Sequence, residues 1–414
     1  MTLPSTADAH LLVSRFLEHY GYSETLASFR REAGRLASMN MDSPANDNQE
    51  LNAERLASHL SHLQLNGRTS SRLPQGDSDF FTTLNDTYSQ LHTTNILATC
   101  VDPASRILAT SATDKTVKLH NLTTIGTITS TFEIYTHHDA PVLSIDFHPL
   151  YTHIMLTTSM DGSAVLVDTF SGDVVQRFKD HQRYVVRGAF SNKGDYFATA
   201  SYDHTLCIYQ DKRSPDNNDV SPCYELIGKF SFLGNVETIC FASSVLVAGI
   251  QNDNYLHMIR LQDVPYEERK LNMNANGDDW VSFSPTWISY CPAPGYENYL
   301  LVSTDHDTGR ILLLDTLTGQ QIQNYYVAPC DNKFITRRHI FHPSGLYFYV
   351  IGGDDNTVKV VETSSGHIQA TLDGAHDRMI RTITLSATCL YTAGFDHKVA
   401  LWSKTSTSDT DLIR

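Results

Sequence analysis

A chain of 414 residues with 41% hydrophobic and 19% charged side chains has the composition of a folded globular protein rather than a disordered one. Asp and Glu outnumber Lys and Arg by 46 to 31, and no basic run could neutralise a row of phosphates, so we expect no direct binding to nucleic acid. The N-terminus lacks a secretory pattern and no apolar run is long enough to cross a membrane, so we expect no membrane contact. Seven cysteines scattered singly indicate reduced thiols in the cytoplasm, the nucleus or both.

The first predicted elements are two short helices between Asp8 and Gly34. Apolar residues recur with helical spacing, Gly21 interrupts them, and Ser23-Glu24-Thr25 begins the second helix. The apolar positions are Leu11, Leu12, Phe16, Leu17, Tyr20, Tyr22, Leu26 and Phe29. Their order around a Gly-Tyr pair resembles the LisH motif.

Two helices of about a dozen residues each are marginal in water and cannot bury their apolar faces alone. The resemblance implies that a second copy covers the eight apolar positions in a homodimer; the alternative is that the helices dock on the rest of the chain. A third helix is predicted over residues 48–65, within a LisH-type dimerisation segment that spans residues 5–65. Residues 66–78 contain Gly, Ser, Pro and Asp and are predicted to be a flexible linker.

One sequence phrase recurs seven times between residues 79 and 404. Each copy has an apolar run, a turn with an aspartate and an alternating strand. The turn aspartates are Asp114, Asp161, Asp203, Asp253, Asp307, Asp355 and Asp396. Neighbouring aspartates are 41 to 54 residues apart. A period close to about 40–45 residues is typical of four-stranded propeller blades.

Four copies also carry a histidine and a threonine at fixed positions. The histidines His92, His138, His181 and His376 each stand four residues before an apolar residue, and Thr110, Thr157, Thr199 and Thr392 each stand four residues before the turn aspartate. Only the last copy adds a tryptophan, Trp402, whereas the first three have His120, Val167 and Tyr209 at that position. This pattern resembles the WD-repeat family, in which His, Ser or Thr, Asp and Trp form a hydrogen-bonded group inside each blade. Copies four to six lack both His and Trp.

The predicted fold class is all-β, a seven-bladed WD-repeat β-propeller over residues 79–404, with a small N-terminal α-helical LisH segment. The last copy ends near Ser403, which leaves only the polar tail, residues 405–414, after its third strand. The segment from Asp79 to Leu91 can supply the missing strand. Pairing of the two ends would leave no open sheet edge.

Partner proteins are expected on the face that carries the turns into the innermost strands. Aromatic and Arg side chains dominate many interfaces because they bring large areas with few rotatable bonds. The candidates are Met160, Arg183, Tyr184, Tyr202, Trp280, Arg378 and Phe395. The alternative for each is a solvated or locally packed loop residue.

Catalysis is not predicted. The sequence has no phosphate-cradling glycine loop, no HExxH and no GxSxG. The pair His137 and His138 lacks a third metal ligand, and repeated His and Asp residues are better explained by architecture. We therefore expect no catalytic residue, cofactor or metal, and a non-catalytic protein-interaction scaffold.

The alternatives concern the assembly that the scaffold serves. Proteins that join LisH to WD repeats include substrate-recruiting subunits of ubiquitin ligases and components of transcriptional and splicing-associated assemblies. A ligase adaptor often binds a WDxR-like signature. The nearest string, from Tyr209 to Arg213, is one residue too long.

Overall fold

The computed structural model describes residues 80–213, 222–242, 245–261, 266–330 and 337–404. The chain divides into two compact units, Met1–Ser71 and Arg72–Arg414, and the described residues belong to the second. The predicted LisH-type segment, the linker and the polar tail lie outside them. Within these ranges there is no helix long and apolar enough to cross a membrane.

The described residues form seven four-stranded antiparallel sheets, which are the blades. The chain enters through β1 (Phe81–Tyr88), which belongs to blade seven. Blade one contains β2 (Ile96–Val101), β3 (Ile107–Ala112), β4 (Val117–Leu122) and β5 (Ile128–Tyr135). Blade two contains β6 (Val142–Phe147), β7 (Ile154–Ser159), β8 (Ala164–Asp168) and β9 (Val174–Phe178). Blade three contains β10 (Val185–Phe190), β11 (Tyr196–Ser201), β12 (Thr205–Asp211) and β13 (Tyr224–Ser231).

The other blades repeat this order. Blade four contains β14 (Val236–Ala242), β15 (Val245–Ile250), β16 (Tyr255–Arg260) and β17 (Glu267–Asn272). Blade five contains β18 (Pro285–Tyr290), β19 (Tyr299–Thr304), β20 (Arg310–Asp315) and β21 (Gln320–Tyr326). Blade six contains β22 (His339–Phe341), β23 (Tyr347–Ile351), β24 (Val358–Glu362) and β25 (Ile368–Leu372). Blade seven contains β26 (Ile380–Leu385), β27 (Leu390–Gly394) and β28 (Val399–Lys404), and β1 completes it.

The first strands of the blades contact one another in succession, and β26 contacts β2, so the seven blades form a closed ring around an axis. The prediction of a seven-bladed propeller is confirmed. All seven turn aspartates lie between the second and third strands of their blades, as the spacing predicted. Blades four to six therefore keep the repeat although they lack the His and Trp positions.

Ring closure follows the prediction made from the last copy. Strand β1 pairs antiparallel with β28, with Phe81 opposite Lys404 and Tyr88 opposite Val399. Phe81 is 1% exposed, and its backbone N–H donates to the Tyr349 hydroxyl of blade six over 2.8 Å. The N-terminal strand is thus tied to both blade seven and blade six.

The core lies between the faces of neighbouring blades. Inner strands such as β7 are buried along their whole length because their sheet has a blade on each side. The outermost strand β5 exposes six of its eight residues. Between blades two and three, Leu166 packs in one cluster with Phe197 and Tyr209, whose rings stack with centroids 4.4 Å apart. Aromatic stacking of this kind adds to the stabilisation from buried area.

Candidate partner-binding face

Two kinds of connection emerge at the same end of the propeller. In an antiparallel sheet, the first strand begins where the second ends and the third begins, and the fourth strand ends at that side too. The turns between strands two and three therefore lie beside the connections that lead into each first strand. We call this end the turn face, and the end with the other turns the opposite face.

Blade two shows how the repeat residues hold the turn face together. His138 Nδ1 donates to Asp161 over 3.0 Å, and His138 Nε2 lies 2.9 Å from Thr157 Oγ1. Asp161 also accepts from the backbone N–H of Asp139 over 2.9 Å. Burial raises the pKa of Asp161, but the hydrogen bonds from His138 and Ser163 lower it more, so the pKa lies well below its usual value. The aspartate thus joins the turn to the connection before the first strand.

Blades three and seven contain the same group. His181 Nδ1 lies 3.1 Å from Asp203, and His376 Nδ1 lies 2.9 Å from Asp396. In blade seven the hydrogen bonds extend from the second strand to the third, because Trp402 Nε1 donates to Thr392 Oγ1 over 3.0 Å, and Thr392 Oγ1 lies 2.8 Å from His376 Nε2. A satisfied polar network of this kind fixes the loop conformation in a low-dielectric setting.

Blade one departs from this pattern. His92 Nε2 lies 2.7 Å from Thr110 Oγ1, but His92 Nδ1 is buried without a hydrogen-bond partner among the described residues. Asp114 accepts instead from the backbone and hydroxyl of Thr116. His120 stands at the Trp position and places Nε2 2.9 Å from the same Thr110 hydroxyl. Burial lowers the pKa of His92 to about 4 and that of His120 to about 3, so both imidazoles are neutral at pH 7.

Blade four uses a histidine that the repeat pattern did not identify. His257 lies on the third strand, and its Nε2 is 2.9 Å from the turn aspartate Asp253. Blades one to three carry His four residues before their first strand, and Phe232 stands at this position before β14. The ring centroids of Phe232 and His257 are 4.8 Å apart. The signal available in the sequence was the spacing of four residues from Asp253 to His257.

The seven predicted partner residues divide by exposure. Arg183, Tyr184 and Arg378 are exposed in connections into first strands, and Trp280, in the connection into β18, is 76% exposed. The residues that precede turn aspartates, Met160, Tyr202 and Phe395, are half-buried. All seven lie on the turn face because both kinds of connection emerge there.

A depression of about 380 Å³ lies on the turn face at blade three. It is lined by Gln182, Arg183, Tyr202, Asp203, His204, Thr205, Ser231 and Phe232. The rings of Tyr184 and Tyr202 are 6.4 Å apart, and Leu233, next to Phe232, is fully exposed. Sequence reasoning missed Phe232 and Leu233, although Phe232 stands at the repeat position where a histidine was absent and Leu233 follows it.

The string proposed as a possible ligase signature lies elsewhere. Arg213 follows the third strand of blade three and pairs with Asp211, with Nε 2.7 Å from the carboxylate. Its guanidinium also stacks over the Tyr151 ring at 4.4 Å, and its side chain is 13% exposed. Within the described ranges, no three His, Cys, Asp or Glu side chains come together as metal ligands would.

Comparison with family models agrees with this architecture. A LisH domain model matches residues 9–35, and the WD domain, G-beta repeat model matches residues 85–121, 128–168 and 172–210. No curated protein sequence matches the chain significantly. The matched repeats cover the first three strands of blades one to three together with all or part of the strand before each, and the four later blades show the same strand order and turn aspartates. The chain is a seven-bladed WD-repeat β-propeller protein with a LisH domain at residues 9–35.

Proposed function

We propose that this protein is a non-catalytic scaffold that dimerises through its LisH domain and binds partner proteins on the turn face of the propeller. The observation that carries the proposal is the group of exposed Arg and aromatic side chains on that face: Arg183, Tyr184, Trp280 and Arg378. We call these four the rim residues. Such side chains supply most of the binding energy in many interfaces.

Hydrogen bonds hold the connection that carries the rim residues of blade three. The His181 and Asp203 network fixes the connection that carries Arg183 and Tyr184, because Asp203 accepts from the backbone N–H of Gln182 over 2.9 Å. Arg183 Nη1 also donates to the Tyr202 backbone carbonyl over 3.4 Å. A surface that is already ordered loses less conformational entropy on binding. We therefore place the centre of the partner site at blade three, beside the depression lined by Phe232.

Dimerisation would present two turn faces in one particle. Two linked sites convert the second binding event into an intramolecular one, which raises the apparent affinity for a multivalent partner. The LisH domain supports this part of the proposal through its eight apolar positions, because the helices predicted for them would be too short to be stable alone. Free thiols at all seven cysteines are compatible with the cytoplasm or nucleus, which is where we propose that the protein acts.

The partner site is tested with the full-length protein as bait in quantitative affinity capture. We expect a double variant, Y184S with R378S, to lose most captured partners, because it removes two exposed anchors. The matched control is a double variant of the opposite face, L150S with L317S, whose side chains are each 67% exposed. Equal loss from the control variant would place the partner site elsewhere. Thermal unfolding of both variants checks that the propeller is intact.

The identity of the captured partners also separates the alternatives. Ubiquitin-ligase adaptors would favour substrate recruitment, whereas transcriptional or splicing components would favour those assemblies. The R213A variant is informative here, because an adaptor that depends on Arg213 would be lost while other partners stay bound. No feature of the rim favours one of these assemblies over the others.

Dimerisation is tested by light scattering at several protein concentrations. We expect the full chain to have the mass of a dimer, and a variant that lacks residues 1–34 to have that of a monomer. The double variant L17D with F29D should behave like the deletion, and E18Q, a substitution in the first predicted helix, should remain dimeric. A deletion variant with unchanged stoichiometry would contradict dimerisation through this domain.

A further inference from the structure

Three arginines point to a ligand site around the propeller axis. Arg187 lies on β10, Arg381 lies on β26, and Arg338 directly precedes β22, so all three belong to the innermost segments of blades three, seven and six. We call them the axial arginine cluster. Arg381 and Glu237 are the bulged residues of their first strands, at corresponding positions in blades seven and four. The cluster therefore lies near the turn-face end of the axis.

A tryptophan from blade five holds two of the guanidinium groups. The Cζ atoms of Arg187 and Arg338 lie 3.5 Å and 4.6 Å from the centroid of the Trp287 ring. Trp287 Nε1 donates to the His339 carbonyl over 3.0 Å, which fixes the ring. Arg187 Nε donates to the Ile239 carbonyl of blade four over 3.3 Å. Side chains from several blades thus hold the cationic groups in place around the axis.

The charges in this region are unbalanced. Arg338 is 7% exposed, and its Nε is buried with no hydrogen-bond partner among the described residues. Burial lowers the pKa of Arg338 well below its usual value, and the positive charges of Arg381 and Arg187 lower it further. An unpaired buried charge is costly, and an arginine offers five donors in a planar fork that suits phosphate.

Two carboxylates act on the cluster, and each of them also accepts a hydrogen bond from another group. The negative charge of Glu237 attracts Arg381, and the same carboxylate accepts a hydrogen bond from the Tyr202 hydroxyl over 2.9 Å. The negative charge of Asp146 attracts Arg187, and this carboxylate accepts a hydrogen bond from the backbone N–H of Phe190 over 2.8 Å. Three cationic groups thus face two carboxylates, and Arg338 has no carboxylate among the charges that act on it. The three arginines and two carboxylates thus carry a net charge of +1, and an anion beside Arg338 would offset it.

We propose that the axial arginine cluster binds a phosphate group, with Arg338 as its principal ligand and Arg381 and Arg187 beside it. The phosphate can come from a small phosphorylated molecule or from a phosphorylated side chain that a partner inserts along the axis. Arg187 and Arg381 are partly exposed, which gives solvent a path to the site. This site is distinct from the rim residues and does not depend on partner binding there.

The test uses the full-length protein at constant ionic strength, with chloride as the reference anion. Thermal unfolding is measured with inorganic phosphate, with a phosphoserine peptide and with the same peptide unphosphorylated. We expect phosphate or the phosphopeptide to raise the unfolding temperature, because a ligand that binds only the folded state stabilises it. Stabilisation by inorganic phosphate indicates a small ligand, and stabilisation by the phosphopeptide alone indicates a partner side chain. No stabilisation by either one overturns the proposal.

The variant R338M separates a ligand site from a structural role. It keeps the apolar stem and removes the unpaired charge, so without ligand it should be as stable as the wild type or more stable. Its affinity for the ligand should fall roughly tenfold or more, since a charge-assisted pair is lost. The control R183M removes an exposed rim arginine and should bind phosphate normally. Unchanged phosphate binding by R338M would overturn the assignment.

A second readout does not require any arginine variant to fold. Trp287 contacts two of the proposed ligands, so bound phosphate should change the intrinsic fluorescence of the wild type. W287F should remove that change while Trp280 and Trp402 still emit. A fluorescence change that persists in W287F would place the anion elsewhere. Failure of phosphate binding leaves the rim proposal intact, because the rim is tested by protein capture.

Discussion

The Tyr202 hydroxyl donates to the Glu237 carboxylate over 2.9 Å, which ties the turn of blade three to the first strand of blade four. Burial raises the pKa of Tyr202 and also that of Glu237, and the Tyr202 hydrogen bond partly offsets the rise at Glu237. Tyr202 therefore has a structural role between blades as well as its place beside the rim. For this reason Tyr202 is left out of the variant that tests partner capture.

The variant Y202F should destabilise the propeller. It removes the hydrogen bond that the Tyr202 hydroxyl donates to the half-buried Glu237 carboxylate, at a cost of about 1–3 kcal/mol in the free energy of unfolding. Urea denaturation measures this difference. The matched control is Y184F, since Tyr184 is 47% exposed. Equal losses in the two variants would show that the bond between the blades contributes nothing.

The turn aspartates should differ in importance between blades one and two. D161A removes the partner of His138 and of the Asp139 backbone N–H, and should cost about 2–4 kcal/mol because buried polar groups lose their partners. D114A removes bonds only within its own turn, to Thr116, and should cost about 1 kcal/mol. Denaturant unfolding of the two variants shows which one loses more free energy of unfolding. A larger loss in D114A would contradict the account of the network.

Acid should destabilise the protein through its buried histidines. Burial lowers the pKa of His92 to about 4, against about 6.5 in the unfolded chain. Since the unfolded state then binds more protons, stability is fully present above pH 6.5 and falls as the pH drops toward 4, by about 3 kcal/mol for this one group. His120 acts in the same direction.

Unfolding free energies measured from pH 7 to pH 4 test this relation. H92Q should show a shallower decline, because glutamine does not titrate. H367Q replaces an exposed histidine and should retain the slope of the wild type. An identical slope in H92Q would mean that His92 does not contribute to acid sensitivity.

The sequence allowed prediction of the ring because the turn aspartate occurs in every copy. The aspartate serves the turn between the second and third strands of its own blade. It is therefore present even in blades that lack the His and Trp positions. The His257 partner of Asp253 escaped prediction because it comes from the third strand rather than from the connection before the first. Blade four thus meets the same need with a different residue.

The axial arginine cluster could not be predicted from the sequence. Arg338 and Arg381 are separated along the chain and lie in different blades, and they act on each other only because the ring brings their first strands to one axis. Sequence periodicity distinguishes buried from exposed faces but does not show which buried residues face the axis. Arg381 faces a different environment from its strand neighbours because it is a bulged residue.

Ring closure yields the last prediction. Phe81 is the first residue of β1, is 1% exposed and stacks on the Tyr349 ring with centroids 6.3 Å apart. F81A should therefore cost about 3–5 kcal/mol, as for other buried aromatic truncations, and should weaken the pairing of β1 with β28. F132A is the matched control, because Phe132 is 41% exposed on an outermost strand and should change stability by about 0.5 kcal/mol or less.

The measurement combines denaturant unfolding with light scattering at high concentration. If β1 closes the ring, F81A should lower the unfolding midpoint and also aggregate, since a loosened β1 exposes the hydrogen-bonding edge of β28. F132A should remain soluble. Comparable stability of the two variants would show that the final blade holds without its N-terminal strand. In that case closure would depend on the contacts between β26 and β2 instead.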